Sequence, residues 1–158
     1  MKKINIDELK AFIEAQSPQT KIYIGCDSFR HKKNGKWFAS YTTVVVVHMN
    51  GRNGCRVFGE ITSEPDYDKT KSRPAMRLMN EVYRTVEMLE KITHVIGDRE
   101  VELHLDINPN KMYGSSCVVE QAIGYVRGTS GLDPKVKPES WCATHCADHF
   151  RSYIGRKH

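Results

Sequence analysis

Three aspartates occupy places from which a folded chain can bring them together. Asp27 follows the apolar run "IYIGC", Asp106 follows "ELHL", and Asp148 sits within "WCATHCADHF". Carboxylates gathered at one point repel each other, so their gathering implies a compensating cation. A donor set made only of oxygen suits Mg²⁺ or Mn²⁺ rather than zinc. Two such ions about 4 Å apart can activate a water and stabilise the leaving oxygen of a phosphodiester. Each acid alone also has a plainer reading. Asp27 can begin a turn, Asp106 can cap the loop "INPN", and Asp148 can pair with Arg151.

The elements that would position these acids follow from the hydrophobic periods. Asn5 to Gln16 reads as a short helix, with Asn5 as cap, Glu8 completing a capping box, and Leu9, Phe12 and Ile13 on one face. Lys21–Cys26 is a first strand that leaves Asp27 at its end, followed by the turn "RHKKNGK". Trp37–His48 contains "YTTVVVV" and must be a strand; "NGRNG" then turns the chain into a third strand, Cys55–Thr62. The three make an antiparallel meander. The period changes at Ser72–Ile92, a long helix with Met76, Met79, Val82, Tyr83, Val86 and Leu89 on its apolar stripe. Glu100–Ile107 is a fourth strand, Ser115–Arg127 a helix, Lys135–Lys137 a short fifth strand, and Pro138 opens a last helix to about Ile154.

This order predicts an α/β protein with a five-stranded mixed sheet flanked by helices; it is the element order of the ribonuclease H-like fold, which periodicity alone does not choose over other α+β arrangements. No linker interrupts it, so residues 1–158 read as a single domain, with 1–20 as an N-terminal helical extension. If the first and fourth strands are parallel neighbours, Asp27 and Asp106 emerge at the same sheet edge. Asp148 falls between the apolar set Ala143, Ala147, Phe150 and Ile154 and the outer face of the last helix.

Composition bounds the setting. With 39% hydrophobic and 27% charged residues the chain is globular rather than disordered. The net charge of +5 is compatible with nucleic acid, and basic residues cluster in "RHKKNGK", "KTKSR" and "GRKH". No apolar run is long enough to span a membrane, and the start "MKKINIDELK" lacks a signal core. The five cysteines, at 26, 55, 117, 142 and 146, are odd in number and lack a disulfide-rich spacing. They predict a reducing cytoplasm and no disulfide partner.

Four stretches, "IYIGCDS", "ELHLDINPN", "SSCVVEQAIGYVRG" and "KPESWCATHCAD", resemble the bacterial YkuK-like family, a ribonuclease H-like group. The resemblance covers the chain from about Lys21 to His149. It implies a ribonuclease H-like fold and metal-dependent nuclease activity, with Asp27, Asp106 and Asp148 in the acidic positions. Nucleases of this superfamily often carry a further Glu on the first long helix. Glu81, on a partly apolar flank with Leu78, Thr85 and Met88 and with Arg77 one turn before it, is better placed to face the sheet than Glu87, which can pair with Lys91. Glu60, near the end of the third strand, is a further candidate acid but reads better as an exposed strand residue.

Auxiliary residues complete the set. His145 or His149 could move protons beside Asp148, Lys137 could contact a nucleic-acid backbone, and Ser28 could orient Asp27 or serve only as a turn hydroxyl. Trp141 could stack a base or fill the core, and His104 reads as a packed sheet residue. Cys142, His145, Cys146 and His149 lie within two helical turns, whereas structural zinc draws ligands from two segments, so they do not read as a zinc site. The leading expectation is hydrolysis of RNA, DNA or a hybrid with two Mg²⁺ or Mn²⁺ ions. The alternatives are an inactive nucleic-acid- or protein-binding module, and a structure-selective junction resolvase, which would be a homodimer. The sequence leaves the oligomeric state open.

Overall fold

The β-branched run Thr42–Val47 lies almost wholly out of solvent, and the sheet forms around it. The structure is a computed structural model and describes residues 2–51, 53–66, 75–110, 119–147 and 149–151. Helix α1 (Ile6–Glu14) is capped by Asn5, whose side chain accepts from the Glu8 amide at 3.1 Å. Strands β1 (Lys21–Lys33), β2 (Lys36–His48) and β3 (Cys55–Pro65) form the meander. Helix α2 (Ala75–Ile96), strand β4 (Glu100–Leu105) and helix α3 (Val119–Ser130) follow. The last helical segment begins at Trp141 and contains a π-helical turn, Cys142–Cys146. No described helix is long and apolar enough to cross a membrane.

The sheet order is β3-β2-β1-β4, with β1 antiparallel to β2, β2 antiparallel to β3, and β1 parallel to β4. Four strands form this sheet among the described residues, not the five expected. Lys135 makes only an isolated parallel bridge to His104, through Leu105 N–H to Lys135 O and Lys135 N–H to Leu103 O, both 2.8 Å. The Lys137 amide donates to Ile107 O at 3.0 Å, and the chain then turns, with the Glu139 amide donating back to Val136 O at 2.9 Å. The last helix likewise starts at Trp141 rather than at Pro138.

β1 is longer than the apolar pattern predicts. It pairs with β2 as far as Lys33↔Lys36, and the chain reverses at Asn34 and Gly35, both with positive φ (52° and 78°). "RHKKNGK" is therefore a hairpin arm rather than a loop, and its polar side chains hid it from a test based on burial. Asp27 consequently lies within β1. What ends beside it is the parallel pairing with β4, whose last rung is Cys26↔Leu105.

The two sheet faces are covered differently. Ile22, Ile24, Val45, Val47 and Phe58 pack against Val82, Val86 and Leu89 of α2 and against Leu9 and Ile13 of α1. On the other face Val44 and Val46 meet Cys142 and Ala147, with Tyr23 and Phe150 at the margin. Two glycines admit the last helix there. A Cβ on Gly25 would lie 2.7 Å from the Ala143 nitrogen, and one on Gly59 would overlap the Phe150 ring.

Candidate metal centre

The β1–β4 register sets the site. Asp27 and Asp106 each follow the last rung of the parallel ladder, so adjacent backbones carry both carboxylates out at one edge. α2 supplies the third acid. Its buried stripe of Leu78, Val82, Thr85 and Met88 includes Glu81, which is only 3% exposed. One ligand oxygen from each of Asp27, Glu81 and Asp106 lies within 4.8 Å of the others.

The surroundings hold these acids without satisfying them fully. The Ser28 hydroxyl donates to Glu81 Oε2 and itself accepts from Arg77 Nη1 at 3.1 Å. The Ser28 amide donates to Asp27 Oδ1 at 2.8 Å. Lys137 Nζ lies 2.9 Å from Asp106 Oδ1. Glu81 Oε1 is buried and has no hydrogen-bond partner. An orphaned carboxylate oxygen inside a group of acids is costly unless something positive meets it.

The electrostatics follow from this geometry. Burial, then a hydrogen bond and charge from Asp106, push the Asp27 carboxyl up to about 7; the Ser28 amide and Arg151 oppose the shift. Burial raises Glu81 well above the usual carboxylate range, with the Asp27 and Asp106 charges adding to it and Ser28 and Arg77 opposing. The arrangement favours protons, or another cation, at this point.

The fit to a divalent ion rests on these features: an oxygen-only donor set, three converging acids and the unpartnered Glu81 oxygen. Asp148 lies outside the described residues. The segment around it packs on the Asp27 side of the sheet: Ala147 meets Val44 and Val46, and the Arg151 charge acts on Asp27.

The other sequence candidates separate. Glu87 pairs with Lys91 at 3.5 Å on the surface, away from the acids, and Glu60 accepts from the Ile4 amide at 3.2 Å. His145 and His149 are exposed. His104 is fully buried; its Nδ1 accepts from the Cys142 amide at 3.1 Å, leaving Nε2 to donate to Glu102, 3.2 Å away. Cys26, Cys55, Cys142 and Cys146 are free thiols.

Sequence reasoning undervalued Ser28 as a turn hydroxyl. The structure buries it beneath Glu81, and its strand parity with Ile24 and Cys26, towards α2, was the available signal. The Lys137–Asp106 pair carried no sequence signal, because it depends on the lone bridge at Lys135.

The sequence profile of ribonuclease H-like proteins matches residues 5–152. The chain belongs to the ribonuclease H-like family. The match is to its YkuK group and spans nearly all of the sequence, including the three clustered acids and Asp148. No curated protein and no solved structure shows significant similarity to the chain. Membership in this ribonuclease H-like family points to a nucleic-acid-related function.

Proposed function

We propose that the protein is a divalent-cation-dependent nuclease that hydrolyses phosphodiester bonds of RNA, DNA or a hybrid. The observation that carries this reading is the Glu81 Oε1 atom, buried and unpartnered beside Asp27 and Asp106. Asp27, Glu81, Asp106 and Asp148 would hold Mg²⁺ or Mn²⁺, as one ion or as a pair. Bound there, the cation lowers the pKa of water and neutralises charge developing on the phosphate. Ser28 fixes the Glu81 carboxylate through its hydroxyl, and Arg77 fixes Ser28. Lys137 brings a positive charge to the outer side of Asp106, where a substrate phosphate would approach. In the reaction a water oxygen adds to phosphorus in line and gives up a proton, the P–O bond to the leaving oxygen breaks, and the leaving oxygen gains a proton. His145 and His149, both exposed, are the proposed proton carriers.

Exposed Lys32, Lys33 and Lys36 at the hairpin tip supply further positive surface. "KTKSR" and "GRKH" lie outside the described residues. The four free thiols among the described residues support a reducing compartment, and we assign the protein to the cytoplasm on that ground. A second reading has its own observation. Ser28 donates to Glu81 and Lys137 pairs with Asp106, contacts that a non-catalytic binding module would also keep.

One assay separates the two. Purified protein is incubated with labelled RNA, DNA, hybrid and junction substrates, with Mg²⁺ or Mn²⁺, beside Asp27→Asn. The nuclease reading expects cleavage of at least one substrate that requires the metal and falls at least about 100-fold in the variant. Absence of cleavage supports the module, and cleavage undiminished in the variant counts against the nuclease reading.

A further inference from the structure

A groove of about 330 Å³ opens beside the carboxylates, lined by Asn108, Lys137, Pro138, Trp141 and His145. We propose that it takes one unpaired nucleotide of a nucleic-acid strand, with the base stacked on Trp141 and the phosphate met by Lys137. This rests on the nuclease reading above and deepens it by naming the form of substrate.

The platform is built rather than incidental. Trp141 is 39% exposed, yet its ring is fixed from beneath by Tyr23 at 4.7 Å and by the edge-on His104 at 5.1 Å. His104 is itself held at both ring nitrogens, so the tryptophan rests on a rigid support. A preordered aromatic ring loses little freedom when a base stacks on it. The same groove reaches the acids through Lys137, whose ammonium lies 2.9 Å from Asp106 Oδ1. An ammonium has three donors, so one can remain on Asp106 while others turn to a phosphate oxygen.

Size and charge select the occupant. The volume is at the low end for ligand sites and suits a single flipped-out or unpaired base rather than a duplex. A base within a duplex has both faces covered by its neighbours and cannot reach a side groove without unstacking. A larger groove of about 380 Å³ on another part of the surface sets Glu60, Glu64 and Glu87 against Lys3, Arg84 and Lys91, with Arg84 paired to Glu64 and Lys91 to Glu87, so it offers a phosphate no surplus of positive charge.

The test uses the full chain with Ca²⁺ in place of Mg²⁺, to hold the substrate uncleaved. A short single-stranded oligonucleotide and a blunt duplex of equal length are titrated by fluorescence anisotropy. In a Trp37→Phe background, single strands should quench the remaining Trp141 emission. Trp141→Ala should weaken single-strand binding about tenfold, with Trp141→Phe losing less, and leave duplex binding unchanged. Should Trp141→Ala fail to fold, the quenching and the Trp141→Phe affinity decide. An unquenched Trp141, an unchanged single-strand affinity, or an equal loss for both nucleic acids would overturn the groove assignment. Cleavage with Mn²⁺ by a wild type whose Trp141→Ala variant still binds single strands normally overturns this inference alone. A wild type that binds no nucleic acid overturns the nuclease reading with it.

Discussion

Asp27 shows most clearly how the fold and a cation could be linked, because burial and Asp106 move its carboxyl from 3.8 up to about 7. In the unfolded chain it ionises near 3.8, whereas the folded chain resists that charge until about neutral pH. Its contribution to stability is therefore complete at low pH and is lost as pH rises through about 7. Glu81 is shifted in the same direction. Without divalent cations, the melting temperature should fall by roughly 5 °C between about pH 5 and about pH 8. Mn²⁺ should restore it at the higher pH and do little at the lower, where protons hold the carboxylates. Asp27→Asn should flatten the profile. Thermal melts followed by circular dichroism check this, and a metal-free melting temperature that climbs through neutral pH would contradict it. At this scale Glu81 was legible as an acid on an apolar flank of α2. Ser28 was legible only in part: its strand parity turned it towards α2, but its partner there lies far away in the chain.

The last helix approaches the sheet through two missing side chains, Gly25 on β1 and Gly59 on β3. Gly25→Ala would press a methyl against the Ala143 backbone, which cannot rotate aside as a side chain can. It should cost about 1–3 kcal/mol and weaken cation binding, since the shifted helix carries Arg151, whose charge acts on Asp27. Gly59→Ala meets only the Phe150 ring, and Phe150→Ala in the same chain should recover part of its loss. Denaturant unfolding of the two single variants and the double variant measures both effects; strictly additive losses would contradict the Gly59–Phe150 contact. Element identity was readable because period-two and period-3.6 runs seldom mimic each other over these lengths. Element ends were less readable. The hairpin arm of β1 is polar because it extends beyond the helices that cover the sheet, and α2 continues to Ile96, where Gly97 (φ 59°) closes it.

Across the whole molecule, the path from sequence to site runs through one topological fact, the parallel pairing of β1 with β4. The apolar strands made that pairing a reasonable expectation, and the register then carries Asp27 and Asp106 to the same edge. The fifth strand failed because its pairing depends on main-chain geometry around Lys135 rather than on side-chain pattern. Folding here buries acids that would be more stable elsewhere, which makes sense if the structure is completed by a cation. Glu81→Gln tests that account most directly, since glutamine keeps the shape and removes the buried charge. The measurement is Mn²⁺ calorimetry paired with metal-free unfolding of the same variant near neutral pH. The account predicts Mn²⁺ affinity at least about tenfold weaker, with metal-free stability unchanged or increased. Unchanged Mn²⁺ affinity together with a less stable fold would contradict it, and would make Glu81 a structural partner of Ser28 and Arg77 instead.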